Sequence, residues 1–139
     1  IGLISDVDQA KWFDRQSSDQ TIKMYAVHDL NDNVVGVCGL TSVDMYNRRA
    51  EFSLYINPAK HGNGFGKQAL RTLLAHGFDN LGLNLIWGET FQDNPAAKLF
   101  EAVGMTRDGT RRQFYFKEGR FINAHLYSIT AEEWKTRVT

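Results

Sequence analysis

The sequence predicts a mixed α/β fold in which a central, mostly antiparallel sheet is flanked by helices. Three observations predict it. Alternating segments before residue 60 are typical of strands, a strongly amphipathic helix follows a glycine-rich loop, and the second half mixes strands and short helices without a regular βαβ repeat. The length of 139 residues suits a single domain, taken as 1–139.

The composition is that of an ordinary globular protein. Sixteen basic residues balance sixteen acidic ones, so we expect neither nucleic acid nor a membrane surface as a partner. No apolar run approaches the ~20 residues that a membrane helix needs. Cys38 is the only cysteine, which rules out an intrachain disulfide and predicts a reducing, cytoplasmic location.

The first half of the chain predicts one helix followed by three strands. Residues 6–17 carry an apolar face of helical spacing, and residues 21–29 and 34–40 form strands around a polar turn. Residues 49–57 are the clearest strand, because Ala50, Phe52, Leu54 and Ile56 point one way while Glu51, Ser53 and Tyr55 point the other.

The second half predicts a long helix and then shorter elements. Apolar residues of helical spacing run from Ala69 to Leu81, and Gly82 can cap that helix. A buried strand is expected over 83–91 and a short helix over 95–103, with Asn94 or Asp93 as its N-cap. A hairpin of strands 111–116 and 121–129 follows, and Thr130 to Glu133 match the capping box of a last helix.

The glycine-rich segment from His61 to Lys67 joins a strand to a helix, a geometry that binds phosphates. A P-loop is excluded, because three residues instead of four separate Gly62 from Gly66 and Gln68 follows the lysine. A dinucleotide fingerprint fits Gly64, Gly66 and Ala69, but that motif belongs after a first parallel strand, and Glu89 is the nearest acidic candidate for the ribose. A glycine-rich turn without a ligand also stays open.

The segment from Pro58 to Gly66 resembles the acetyl-CoA loop of the GNAT superfamily of N-acetyltransferases, whose pattern is Gln/Arg-x-x-Gly-x-Gly/Ala. His61 stands at the Gln/Arg position. The stretch from Asp93 to Met105 is similar to the second signature of the family, an Asn before a short helix that ends in Tyr-Glu-Lys-x-Gly-Phe. The tail, with His125 to Ser128 and Glu133-Trp134, resembles the branch that includes ribosomal-protein N-terminal acetyltransferases.

The resemblance implies acetyl-CoA as co-substrate and no metal. The residues that match the pyrophosphate-binding amides are Gly62, Asn63, Gly64, Phe65, Gly66 and Lys67. Those that match the main chain pairing with the pantetheine arm are Leu54, Tyr55 and Ile56, and Asn94 matches the Asn of the second signature. A main-chain amide nearby would polarise the thioester carbonyl.

The implied chemistry is direct attack by a primary amine, from a protein N-terminus or a small molecule. Such an amine has a pKa of ~10 and must lose a proton, so a base is needed. Glu51 occupies a position that is often acidic in the family and is the candidate base. Its alternative role is that of a solvated or ion-paired strand carboxylate. The alternative function is a non-catalytic acyl-CoA-binding module with the same fold.

Two positions depart from the family pattern. Phe100 replaces the tyrosine that often protonates the departing thiolate, and we expect it to pack in the core, with Tyr115, Tyr127 or water left as possible acids. Asp93 falls at the Asn position, with Asn94 one residue late. Cys38 and Trp87 are expected in the core, and the histidines show no metal-ligand spacing.

Two further expectations concern the chain ends. Family members carry a strand and a helix ahead of the region that residues 7–13 match, and we expect both to be missing here. The resemblance also makes a homodimer an expectation, with the last strands as natural edges for pairing.

Overall fold

The computed structural model describes residues 20–138. The helix predicted over 6–17, and the strand and helix expected to be missing ahead of it, lie outside these residues. In chain order the strands are β1 (Lys23–His28), β2 (Val34–Asp44), β3 (Arg49–Ile56), β4 (Leu85–Phe91), β5 (Thr106–Lys117) and β6 (Arg120–Thr130). The helices are α1 (Phe65–Ala75), α2 (Ala96–Ala102) and α3 (Ala131–Val138).

The strands form one mixed sheet in the order β1-β2-β3-β4-β6-β5. β3 and β4 are parallel, and every other neighbouring pair is antiparallel. The prediction of a mostly antiparallel sheet flanked by helices is therefore confirmed. The one parallel pair lies in the middle of the sheet. It is parallel because α1 carries the chain from the end of β3 back to the start of β4.

The strands β2 and β5 extend well beyond their predicted bounds, and both contain irregular pairing. β2 continues to Asp44 past a register shift after Thr41. β5 begins at Thr106 and contains two register shifts, and nearly all of its side chains are exposed. A strand without a buried face shows no alternation of hydrophobicity, so its first half was invisible to pattern reasoning.

The core lies between one face of the sheet and the helices α1 and α2. The helix α1 buries Ala69, Leu70, Leu73 and Leu74 on the face that the spacing predicted. A wider helical turn, His76–Asn80, extends α1 and buries Phe78. Gly82 follows with a φ of +70°, a left-handed conformation that suits the predicted cap.

The last helix begins with the predicted capping box. The Glu133 main-chain N–H donates to Thr130 Oγ1 at 3.2 Å, and Glu133 Oε1 accepts from the Thr130 N–H at 2.9 Å. Trp134 is then buried and stacks on Phe78. Among residues 20–138, no helix is both long and apolar enough to span a membrane.

Candidate active site

The sheet splits between its two parallel strands. β3 and β4 pair only from Arg49 to Glu51, against Leu85 to Trp87. Beyond that point β3 keeps only β2 as a neighbour, and β4 keeps only β6. The Phe52 ring lies against Gly88 at the point of separation, where an added Cβ would stand 2.2 Å from Phe52 Cε1. The result is a wedge-shaped opening inside the sheet.

The main chain of β3 presents free hydrogen-bonding groups to this opening. The Asn57 N–H donates to Val35 O on β2 at 2.8 Å. Because the N–H and C=O groups of successive strand residues point to opposite edges, those of Leu54 and Ile56 point away from β2, into the opening. The Ile56 carbonyl accepts a hydrogen bond from His61 Nε2 at 2.9 Å. That bond ties the following loop to the end of the strand.

The glycine loop turns the chain into α1. Gly62 and Gly64 have φ values of +84° and +80°, and Gly64 is the residue that immediately precedes the helix. These left-handed conformations favour glycine. The first main-chain N–H groups of α1, from Phe65 to Lys67, have no carbonyl one turn earlier to accept from them within the helix. This end of the helix, with Lys67 beside it, is suited to bind an anion.

A groove of about 530 Å³ joins the strand opening to the glycine loop. Nine of the ten residues predicted to hold the cofactor line it: Leu54, Tyr55, Ile56, Gly62, Gly64, Phe65, Gly66, Lys67 and Asn94. The tenth, Asn63, does not line it and instead donates through Nδ2 to Lys60 O at 3.1 Å. The structure brings the other nine together, while their roles stay predictions.

Asp93 and Asn94, the two candidates for the Asn of the second signature, lie differently with respect to the groove. Asn94 lines the groove, whereas Asp93 has a φ of +64° and lies outside it. The Asn94 Oδ1 accepts from the Ala96 N–H at 2.9 Å, so the side chain also caps the start of α2.

Glu51 lies on the opposite face of β3 from the core, at the root of the opening, and is half-buried. Its cross-strand partner on β4 is Trp87, and Glu89 follows two residues later on the same face. Burial raises the pKa of the Glu51 carboxyl first, and the neighbouring charge of Glu89 raises it further, while Arg111 opposes the shift. A base with a raised pKa holds a proton more strongly.

Sequence reasoning missed the partners of Glu51. The Tyr115 hydroxyl donates a hydrogen bond to Glu89 Oε1, and this contact raises the pKa of Tyr115 to about 12. Trp87 does not lie in the core as predicted. It is half-buried on the outer face of the sheet, because it falls on the same side as Leu85 and Glu89.

A second cavity, of about 490 Å³, lies on this outer face. Its lining combines aromatic, cationic, anionic and hydroxyl side chains: Ser42, Asp44, Arg49, Leu85, Trp87, Asp108, Arg111, Leu126, Tyr127 and Ser128. Strand β3 links the two cavities, since its first residue Arg49 lines this one and Leu54 lines the groove. Glu51 lies between them along the strand.

The other side chains considered from the sequence are hydrogen-bonded or buried. Phe100 packs in the core as predicted, edge-on against Phe52 and Tyr127. The Tyr127 hydroxyl accepts from Arg107 at 3.1 and 3.2 Å. Cys38 is fully buried, and burial raises the pKa of its thiol, which leaves it inert. Within residues 20–138 no group of three His, Cys, Asp or Glu side chains is placed to hold a metal ion.

Comparison with known proteins agrees with this geometry. The family model described as an acetyltransferase (GNAT) domain matches residues 3–106. The uncharacterized N-acetyltransferase p20 of Bacillus licheniformis is 28% identical over 140 residues, which cover 96% of this chain and 79% of that protein. The putative ribosomal N-acetyltransferase YdaF of Bacillus subtilis is 26% identical over 104 residues, covering 74% and 57%.

Solved structures of the spermidine/spermine N-acetyltransferase SpeG from Vibrio cholerae share the fold. Mutant forms of that enzyme align with a TM-score of 0.84 and 26% identity, covering 88% of this chain and 72% of theirs. A structure described as dodecameric, in an intermediate state, aligns with a TM-score of 0.82 over 87% of this chain. The similarity to a ribosomal enzyme and the overall fold were both predicted from the sequence.

Proposed function

The chain belongs to the GNAT family of N-acetyltransferases, and on that premise we propose that it transfers the acetyl group of acetyl-CoA directly to a primary amine, with Glu51 as the general base. The observation that carries the proposal is the groove at the split of the sheet, which is lined by nine of the ten cofactor-binding residues predicted from the sequence.

The groove fits the chemistry of acetyl-CoA along its length. The N-terminal amides of α1 and the side chains of Lys60 and Lys67 match the pyrophosphate. The free main-chain groups of Leu54 and the main-chain N–H of Ile56 match the amide groups of the pantetheine arm, which would lie beside β3 as an added strand. The thioester supplies the activated acetyl group, and it would lie towards the root of the opening.

Glu51 is placed to serve as the base. An alkylamine is mostly protonated near neutral pH because its pKa is ~10, so it must give up a proton before it attacks. Glu51 stands at the root of the opening and between the two cavities, and its raised pKa strengthens it as an acceptor of that proton. We propose the outer-face cavity, beside Trp87, as the place where the amine enters.

The acceptor belongs to the class of primary amines, and the names of the relatives suggest two kinds of acceptor. SpeG is named for spermidine and spermine, and YdaF for ribosomal substrates. The lining of the outer-face cavity includes two arginines with its two aspartates, and this mixture suits an acceptor with both polar and cationic groups, such as a peptide N-terminus. A polycation would be better matched by carboxylates alone.

A homodimer is part of the proposal. β5 is the last strand of the sheet, and the hairpin that it forms with β6 exposes Phe114, Phe116 and Phe121. An exposed apolar edge strand is a site for association. The related SpeG structure is described as dodecameric, which supports self-association without specifying the same contact.

The test combines binding with turnover. Thermal melting with saturating acetyl-CoA, CoA, NAD and ATP should give a rise of several degrees with the two CoA species only, since a ligand at 100 times its Kd stabilises the folded state by about 2.7 kcal/mol. Free thiol release should then appear with spermidine or with short peptides bearing a free N-terminus. The variant E51Q should lose turnover and keep the melting shift, while E132Q, at an exposed site on α3, should behave as the wild type.

Three outcomes separate the alternatives. A melting shift with NAD or ATP instead of CoA contradicts the proposal and favours a nucleotide-binding protein. A shift with CoA and no thiol release from any amine favours the non-catalytic acyl-CoA-binding module, which the phenylalanine at position 100 makes the second candidate. Full turnover by E51Q would remove Glu51 from the mechanism and leave the activity in place.

A further inference from the structure

Glu51 has a second carboxylate as its neighbour. Glu89 lies two residues after Trp87, which is the cross-strand partner of Glu51, so the two carboxylates share the outer face of the sheet. Both are half-buried. Among the neighbouring charges, that of Glu89 has the largest effect on the pKa of Glu51 and raises it. Two carboxylates on one face beside an opening are suited to bind a cation.

Tyr115 on β5 forms a hydrogen bond with Glu89 on β4 and so orients its carboxylate. β6 lies between β4 and β5, so the tyrosine reaches across it to donate its hydroxyl hydrogen to Glu89 Oε1. The ring of Tyr115 is braced edge-on by Phe91 at 4.8 Å and by Phe114 at 5.1 Å. The contact therefore fixes the position of the Glu89 carboxylate on this face of the sheet.

The other groups that face Glu51 do not outweigh the effect of the Glu89 charge on the Glu51 pKa. Arg111 on β5 acts in the opposite direction, but its influence on Glu51 is smaller than that of Glu89. The Arg111 guanidinium also lies over the Phe114 ring, 5.0 Å from its centroid. The partner of Glu51 on β2 is Thr41, and the residue opposite Trp87 on β6 is Ser128; neither carries a charge.

We propose that Glu89, oriented by Tyr115, binds the protonated acceptor amine and holds it beside Glu51 for deprotonation. The inference rests on the proposed function. The ammonium group enters between the two carboxylates. One N–H bond then breaks as an O–H bond forms on Glu51, the nitrogen regains its lone pair for attack, and Glu89 remains ionised.

The arrangement has a consequence for specificity. An acceptor bound as a cation gains from both carboxylates, whereas an amine that is already neutral at the working pH gains little from Glu89. At a given pH the site should therefore favour acceptors that are protonated, which near pH 7 include most of a peptide α-amino group and nearly all of an alkylamine. Weakly basic amines of the same shape should bind without the help of Glu89.

The test is a pH profile of kcat/KM for the amine, at saturating acetyl-CoA, in the wild type, E89Q, Y115F and the control E132Q. We expect E89Q to move the acidic limb to lower pH by roughly half a unit or more, because Glu51 loses a neighbouring negative charge. We also expect its KM for a basic alkylamine to rise roughly threefold to fivefold, as for the loss of one half-exposed ion pair. Y115F should fall between wild type and E89Q in KM.

A weakly basic analogue of the same amine provides the second readout. The rise in KM of E89Q should shrink or vanish with the analogue if Glu89 acts on the cation. If E89Q shows no cooperative melting transition, and is therefore misfolded, E89D replaces it and should keep the wild-type limb because the charge remains. An unchanged limb together with an unchanged KM in folded E89Q overturns the inference. Absence of thiol release in the wild type would instead overturn the proposed function.

Discussion

The Tyr115 hydroxyl donates a hydrogen bond to Glu89 across an intervening strand, and the two residues are 26 positions apart in the chain. This contact raises the pKa of Tyr115 from about 10 to about 12. The folded state thus favours the neutral phenol more than the unfolded chain does. The resulting stabilisation is complete below about pH 10 and is lost as the pH rises towards 12.

Tyr115→Phe should therefore make the free energy of unfolding depend less on pH above about pH 10. We expect the free energy of unfolding of the wild type to fall between pH 10 and 12 by more than that of the variant, measured by urea unfolding at closely spaced pH values. Tyr46→Phe is the control, because Tyr46 is 94% exposed. An equal alkaline loss in Tyr115→Phe and wild type would contradict the role of the contact.

Gly64→Ala should weaken acetyl-CoA binding, whereas Gly82→Ala should not. Both glycines have positive φ values, +80° and +70°, so each substitution should cost about 1 kcal/mol of stability. Only Gly64 lines the groove, where it precedes the helix end that is proposed to bind the pyrophosphate. Calorimetric titration with acetyl-CoA checks the difference, and equal affinities in the two variants would argue against the placement of the phosphates.

Gly88→Ala should destabilise the protein by roughly 1–3 kcal/mol, because the new methyl group would collide with the Phe52 ring at the root of the opening. Gly109→Ala is the matched control on another strand, since an added Cβ there meets nothing within 4 Å. Thermal melting of the two variants measures the contrast. Similar melting temperatures would show that the ring moves aside easily.

Thr90→Val should stabilise the protein by about 1 kcal/mol. Thr90 Oγ1 is buried and makes no hydrogen bond to any described residue. Replacing this hydroxyl by a methyl group of the same shape removes a buried polar group that lacks a partner. Thr72→Val should have the opposite sign, because the hydroxyl of Thr72, which is also a buried residue, donates to Gln68 O at 2.9 Å. Denaturant unfolding of both variants decides, and destabilisation by Thr90→Val would reveal a partner of that hydroxyl.

Local patterns were sufficient to predict much of the fold. The apolar spacing of α1 and the capping box of α3 follow from contacts between residues three and four positions apart, which a sequence displays directly. The strand bounds failed where β5 has no buried face and two register shifts. A single domain over 1–139 stays a prediction.

The candidate site was predictable in part for a similar reason. The groove is built from two short contiguous segments, which carry family motifs. The outer-face cluster depends on cross-strand neighbours instead. Glu51, Glu89 and Tyr115 come together only once the strand order and register are known, and β6 had to be placed between β4 and β5. The alternation that puts Trp87 and Glu89 on one face was the available signal, but the strand was interpreted as buried on both faces.

The split between β3 and β4 also gives the ligand-free protein two unpaired strand edges inside its own sheet. An unpaired edge accepts any extended chain of suitable length, including a segment of another molecule. Storage behaviour should then depend on occupancy of the groove. In concentrated samples without acetyl-CoA, strand exchange and aggregation would begin at this opening, and a ligand that fills it would protect the protein from both.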